Sequence, residues 1–397
     1  VKKALAVHAV DAKAAAGCLY ANADGGMRLR RMRIAAIRAL LLGMSVAGGA
    51  AMWAHAAASV AVPAIAARAA LAGAKVVVLT EATVGATIYY TVDGSEPTAA
   101  SPVYIAPFLA ASTMVVKAYA EAPGGARSKS VEKKFAVHVP GGSLVWSDEF
   151  KKAGGQPDPA VWTYDTGASG WGNHELEDYC AWASTAAPCD ATSPNAYVGA
   201  DGFLHIVARK TADGKYTSAR MKSEGLFSFQ YGRIEARIKL PVGQGIWPAF
   251  WTLGNSVSYA NWPACGEQDI AERVNGVLTP DWNEGSVHGP GFTGDIGLGK
   301  KYFFPAGENA AGWHTYGMIW KPGSVAYYID DPMKPYVTYT NPVSLTALKG
   351  AVWPFDNGVS AFFIFNVAVG GDWPGAPDAK TGFPAEMLVD YVRIYAV

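Results

Sequence analysis

The stretch GRIEARIKL alternates strictly. Ile234, Ala236, Ile238 and Leu240 fall on one face; Arg233, Glu235, Arg237 and Lys239 fall on the other. A period of two marks a half-buried antiparallel strand. WHTYGMIW, SVAYYID, AFFIFNVAV and MLVDYVRIY are further strand candidates between Ser143 and Val397, set apart by turn residues. No long segment of period 3.6 interrupts them. Such a succession predicts a large β-sandwich or barrel over residues 143–397. Upstream, KVVVLTE, TIYYTVDG and STMVVKAYA predict a second, small β-sandwich over residues 76–138, with a turn at Asp93-Gly94. The Ala-rich residues 57–75 read as a linker before it, and Val139-Pro140-Gly141-Gly142 as the linker after it. The fold class is all-β.

The N-terminal segment carries a different pattern. Arg28, Arg30, Arg31, Arg33 and Arg38 precede an apolar run from Ala39 to Ala54, followed by the small-x-small sequence Ala54-His55-Ala56. This predicts a signal peptide over 27–56, cleaved near Ala56, and a secreted protein, extracellular or periplasmic. The run is too short to span a bilayer comfortably, and an uncleaved anchor is the rival reading. Residues 1–26 then form an upstream extension, with Met27 or Met32 as the start.

Charge and cysteines narrow the partners. Lys+Arg and Asp+Glu both number 33, which argues against a nucleic-acid partner. In an exported chain Cys180 and Cys189 are expected to form a disulfide, the alternative being two thiols. Cys265 reads as a small buried hydrophobe. No spacing of Cys and His suggests a transition-metal site. Nothing suggests an oligomer, so a monomer is expected.

The candidate chemistry lies in GEQDIAERVNG, residues 266–276. On a strand, Glu267 and Asp269 share a face. Glu272, five positions from Glu267, falls on the opposite, buried face unless one extra residue, a β-bulge, restores the alternation. With the bulge, three carboxylates lie together. Two glutamates on one strand suit retaining glycoside hydrolysis, in which one attacks the anomeric carbon and the other donates and then removes a proton. An aspartate between them helps keep their pKa values apart. The alternative is a solvated acidic face or a cation site. Just upstream, GIWPAFWTLG places Trp247 and Trp251 on one face. They are the floor of a glycan cleft or two core residues, and buried indole N–H groups need partners either way. Pro248 between them is awkward for a central strand.

WSDEF, GWGNHELEDY, GRIEARIKLPVGQGIWPAFWTLG, WPACGEQDIAERVNG, SVHGPGFTG and NVAVGGDWPG…FPAEMLVDYVRIY occur in this order. Together they resemble glycoside hydrolase family 16, in its laminarinase-like branch, over residues 143–397. The resemblance implies a β-jelly roll with a concave glycan cleft. It implies Glu267 as nucleophile, Asp269 as its helper and Glu272 as acid/base. Trp247 and Trp251 are implied as cleft tryptophans, His288, less specifically, as a histidine near the point of cleavage, and Asn173 and Trp373 along the non-reducing side. The alternative for His288 is a core histidine. A structural calcium held by Glu149, the carbonyl of Gly202 and Asp390 is also implied, away from the chemistry; no cofactor is implied for catalysis. TIYYTVDGSEPTAASPVYIAPF with VVKAYAEAPGG resembles the chitobiase/hexosaminidase C-terminal accessory domain, an Ig-like spacer or interaction module. Three positions depart from the family-16 pattern: Gln268 for an apolar residue, Ala271 for Met, and Arg273 for an aromatic or aliphatic residue.

The expected function is a secreted retaining endo-β-1,3-glucanase acting on a laminarin-like polysaccharide. The alternatives are the same chemistry on mixed-linkage glucan or an algal galactan, or a glucan-binding protein without catalysis.

Overall fold

The computed structural model describes residues 59–152, 154–276 and 280–397. The expectations for the signal peptide, its cleavage and the upstream extension lie outside these residues. None of the described helices is long and apolar enough to cross a membrane.

The N-terminal domain is built from β1 (Ala64–Ala69), β2 (Lys75–Thr80), β3 (Thr87–Thr91), β4 (Phe108–Ala110), β5 (Ser112–Glu121) and β6 (Val131–His138). They form two three-stranded sheets, β1-β2-β4 and β3-β5-β6. β1 falls within residues 57–75, which the sequence reading treats as linker. Alanine carries no β signal of its own, and the strand is recruited by six antiparallel partners along β2.

The rest of the chain supplies β7 (Leu144–Asp148), β8 (Thr163–Asp165), β9 (Glu177–Tyr179), β10 (Ala196–Val198), β11 (Leu204–Lys210), β12 (Tyr216–Ser218), β13 (Arg220–Lys222), β14 (Gly232–Lys239) and β15 (Ile246–Gly254). After the one-turn α1 (Val257–Ala260) come β16 (Glu267–Glu272), β17 (Trp282–His288), β18 (Leu298–Phe303), β19 (Trp313–Lys321), β20 (Ser324–Ile329), β21 (Val337–Thr340), β22 (Ala361–Val369) and β23 (Ala385–Tyr395). One sheet runs β21-β20-β19-β14-β23-β11-β12-β9, with β10 on β11 and β7 on β23; the other runs β18-β17-β16-β15-β22-β13-β8. Their facing residues make one core, a β-jelly roll. Ile234, Ala236 and Ile238 of β14 meet Phe250, Phe363, Phe365 and Ile270 there, all buried.

Period-two alternation also joins the two domains. Val77 and Leu79 of β2, with Phe108 and Ala110 of β4, fill the small domain's own core. Val76 and Leu109, pointing the other way, enter the core of the jelly roll. Leu109 N–H donates to the carbonyl of Ser228 and Ser228 N–H to that of Pro107, both at 2.9 Å, a parallel bridge across the domain boundary. The stretch 139–142 is likewise pinned, Gly142 N–H donating to Ala396 O at 2.8 Å.

Candidate active site

The bulge is present in β16. Asp269 pairs with Trp251 and Ala271 with Phe250, leaving Ile270 without a partner on β15. Ile270 and Ala271 are both fully buried, so Glu272 returns to the face that bears Glu267 and Asp269. A bulge frees a backbone N–H and C=O from the ladder, and buried ones need partners. Asn283 of β17 supplies both: its Oδ1 accepts from Glu272 N–H at 3.0 Å and its Nδ2 donates to Ile270 O at 3.3 Å.

The face of this sheet turned away from the core is read in rows. His288, Glu267 and Leu253 are aligned, then Ser286, Asp269 and Trp251, then Glu284, Glu272, Ala249, Asn366, Arg220 and Asp165. Trp247 and Trp251 lie on this face, both half-buried, with their N–H groups satisfied. Pro248 is tolerated because the β15–β16 ladder begins only at Ala249, so the proline is paired on one side alone, with Val367.

Each glutamate receives an indole N–H. Trp262 Nε1 donates to Glu267 Oε2 at 2.6 Å, and Trp247 Nε1 to Glu272 Oε1 at 3.0 Å. His288 Nε2 lies 3.1 Å from Asp269 Oδ2, which also accepts from Ser286 Oγ at 3.1 Å. Glu267, Asp269 and His288 bring ligand atoms within 4.8 Å of one another, the one His/Cys/Asp/Glu group among the described residues close enough to hold a metal ion. Burial and the charge of Asp269 push Glu267 up to about 8, against the pull of His288 and the Trp262 N–H. The same two causes hold Glu272 well above the carboxylate range. Burial opposes a charge on His288, but its hydrogen bond to Asp269 and the surrounding carboxylates raise it to about 10. The ring is therefore an imidazolium at neutral pH, inside a cluster of acids.

Trp251 is oriented through a relay. Its Nε1 donates to Asn366 Oδ1 at 2.8 Å, Asn366 Nδ2 to Tyr179 Oη at 3.1 Å, and Tyr179 Oη to Glu175 Oε2 at 2.9 Å; Asn173 Nδ2 donates to Glu175 Oε1 at 3.0 Å. The guanidinium of Arg220 lies 4.7 Å from the Trp251 ring and 5.1 Å from Trp171. Trp373 meets Trp247 edge-on at 5.4 Å, and Asp372 N–H donates to Asn173 O at 2.8 Å. Asn173 and Trp373 thus flank the Glu272 end of the cluster, while Trp262 and His288 flank the Glu267 end. Trp262, Asn283, Asn366, Glu175 and Arg220 were not singled out from sequence. Trp262 is five positions from Glu267, a signal of proximity; the others have no local signal.

The three departures from the family pattern lie beneath the cluster. Gln268 is buried and accepts from Thr252 Oγ1 at 3.0 Å. Ala271 is in the core. Arg273 is fully buried, its Nη2 donating to Asp281 Oδ1 at 2.9 Å and Gly276 O at 2.8 Å, which ties the end of β16 to the following loop. Cys180 and Cys189 form a disulfide, and Cys265 is buried.

The oxygens expected to hold calcium have side-chain partners. Glu149 is chelated by Arg393, Nε to Oε1 at 2.9 Å and Nη2 to Oε2 at 2.8 Å. Asp390 accepts from Lys151 Nζ at 2.8 Å and Arg237 Nη1 at 3.0 Å, and Gly202 O from Lys151 Nζ at 3.3 Å. These oxygens face cationic side chains of the protein itself.

Comparison with known proteins agrees with this architecture. Residues 186–390 match the family described as "Glycosyl hydrolases family 16", and residues 68–132 the "Chitobiase/beta-hexosaminidase C-terminal domain". The chain is 39% identical over 265 residues to the "Beta-glucanase" of Rhodothermus marinus, covering 65% of this chain and 86% of that one. It is 34% identical to "Glucan endo-1,3-beta-glucosidase A1" of Niallia circulans, over 65% of this chain and 38% of the relative. Among solved structures, the catalytic domain of an endo-1,3-beta-glucanase (laminarinase) from Thermotoga petrophila superposes with a TM-score of 0.55 at 40% identity, covering 64% of this chain and 97% of that one.

Proposed function

The chain belongs to glycosyl hydrolases family 16 and is a glycoside hydrolase, and from that premise we propose that it cleaves β-1,3-glucan internally, with retention of anomeric configuration. The observation that carries the reading is the bulged β16, which sets Glu267 and Glu272 on one face with an indole N–H on each. Glu267 attacks the anomeric carbon as the leaving oxygen takes a proton from Glu272; Glu272 then removes a proton from the water that displaces Glu267. Asp269 and His288 act on both members of the pair, Asp269 favouring their protonated forms and His288 their ionised forms, so together they set the pH range over which one glutamate is ionised while the other keeps its proton. Trp247, Trp251 and Trp373 offer ring faces to sugar C–H surfaces. The choice of β-1,3-glucan follows the relatives named as glucan endo-1,3-beta-glucosidase and laminarinase.

We read the mature protein as exported, because the disulfide Cys180–Cys189 belongs to an oxidising compartment. Sequencing the mature N-terminus tests this. Function is tested by reducing-sugar release from laminarin, lichenan, agarose and carrageenan side by side. Release from laminarin above the rest supports the reading. Release from another glycan keeps the chemistry and overturns the substrate. Laminarin binding without release from any of them overturns catalysis.

A further inference from the structure

We infer that the ammonium of Lys151 is a built-in cation that joins three distant segments where a structural metal would otherwise do so. Gly202 presents its carbonyl from a turn held in the left-handed region, at φ +78°. Asp390 is the extra residue of a bulge in β23, where Arg237 pairs with Tyr391 but Ile238 with Val389. Two such oxygens converging on one point ask for a positive charge. Lys151, three residues beyond the end of β7, supplies it, reaching 51 and 239 positions along the chain. Its Nζ also lies 5.6 Å from the centre of the Phe203 ring.

The neighbouring charges close the site to a second cation. Glu149 is spent on Arg393 and the other oxygen of Asp390 on Arg237. Two carboxylates thus face three cationic side chains, and a divalent ion would meet net repulsion there as well as lack the six to eight oxygens it prefers. The exposure of Lys151 means that its pairing contributes modestly.

The test is thermal unfolding of the chain in excess calcium chloride and in EDTA, with metal analysis of the desalted protein. The inference expects the same Tm in both and no stoichiometric calcium. Lys151→Met lowers Tm by about 1–2 °C and Lys151→Arg restores most of the loss. Asp390→Asn combined with Lys151→Met costs less than the sum of the two, as for coupled partners. A saturable rise of the wild-type Tm with calcium, a fall with EDTA, or a Lys151→Met variant as stable as wild type overturns it. The first two need no variant and hold even where a substitution fails to fold.

Discussion

The carboxamide of Asn283 bonds both backbone groups that the bulge sets free, Glu272 N–H at 3.0 Å and Ile270 O at 3.3 Å. The carboxylate geometry thus depends on a side chain on the neighbouring strand, beneath the cluster. Asn283→Ala leaves two buried polar groups without partners, at a cost of about 1–3 kcal/mol each. The expected result is a lower Tm together with a lower kcat on laminarin. An unchanged kcat would show that the bulge holds itself.

The indole N–H groups on the two glutamates govern different limbs of the pH profile. Trp262→Phe keeps the ring but removes the donor to Glu267, worth about 1.5–3 kcal/mol as a bond to a charged group, so kcat falls about ten-fold or more. That bond favours ionised Glu267, so its loss moves the acid limb of the pH profile upward. Trp247→Phe raises Glu272 instead and moves the alkaline limb upward. Limbs that stay in place in both variants would separate the indoles from the titration.

Asp269 and His288 predict opposite pH shifts. Activity needs Glu267 ionised and Glu272 protonated, so the acid limb follows the first and the alkaline limb the second. Because the groups are coupled, both limbs report the cluster, and both lie above the usual carboxylate value. Asp269 raises both glutamates, so Asp269→Asn shifts the profile towards acid. His288 lowers both, so His288→Gln shifts it towards alkali, by about one pH unit. kcat/KM against pH for the two variants checks the signs.

The shared core makes the small domain part of the enzyme's stability. Leu109, 6% exposed, reaches the jelly-roll core from the other domain. Leu109→Ala is expected to cost about 2–5 kcal/mol and to lower a single unfolding transition seen by calorimetry. Two separate transitions, with the second unmoved, would mean that the domains are independent.

The bulge was legible because an odd offset between acids is wasteful on a plain strand, and alternation alone placed Trp247 and Trp251 together. Alternation also marked β14, and runs rich in strand-forming residues between turns marked β19, β20, β22 and β23. It failed at β1, whose alanines acquire strand structure only by pairing, and at the domain junction, where Val76 and Leu109 look like ordinary alternating residues until both faces of their sheet are known to be covered. Asn283 carries no signal, since a single amide on a strand does not say which backbone it will meet. Arg273, adjacent to Glu272, stands out only as a departure from the family pattern; its partner Asp281 lies across a loop, and the pair is buried beneath the sheet. The cations that face the expected calcium oxygens, Lys151, Arg237 and Arg393, gave no signal in the sequence, because they lie far from those oxygens along the chain.

The central claim is that Glu267 and Glu272 perform the chemistry. The most direct measurement is residual laminarin hydrolysis by Glu267→Gln and Glu272→Gln, each shown by circular dichroism and thermal unfolding to keep the wild-type fold. The account predicts that either substitution abolishes most of the activity, since nothing else on β16 replaces the nucleophile or the proton donor. Near-wild-type hydrolysis by either folded variant would contradict it.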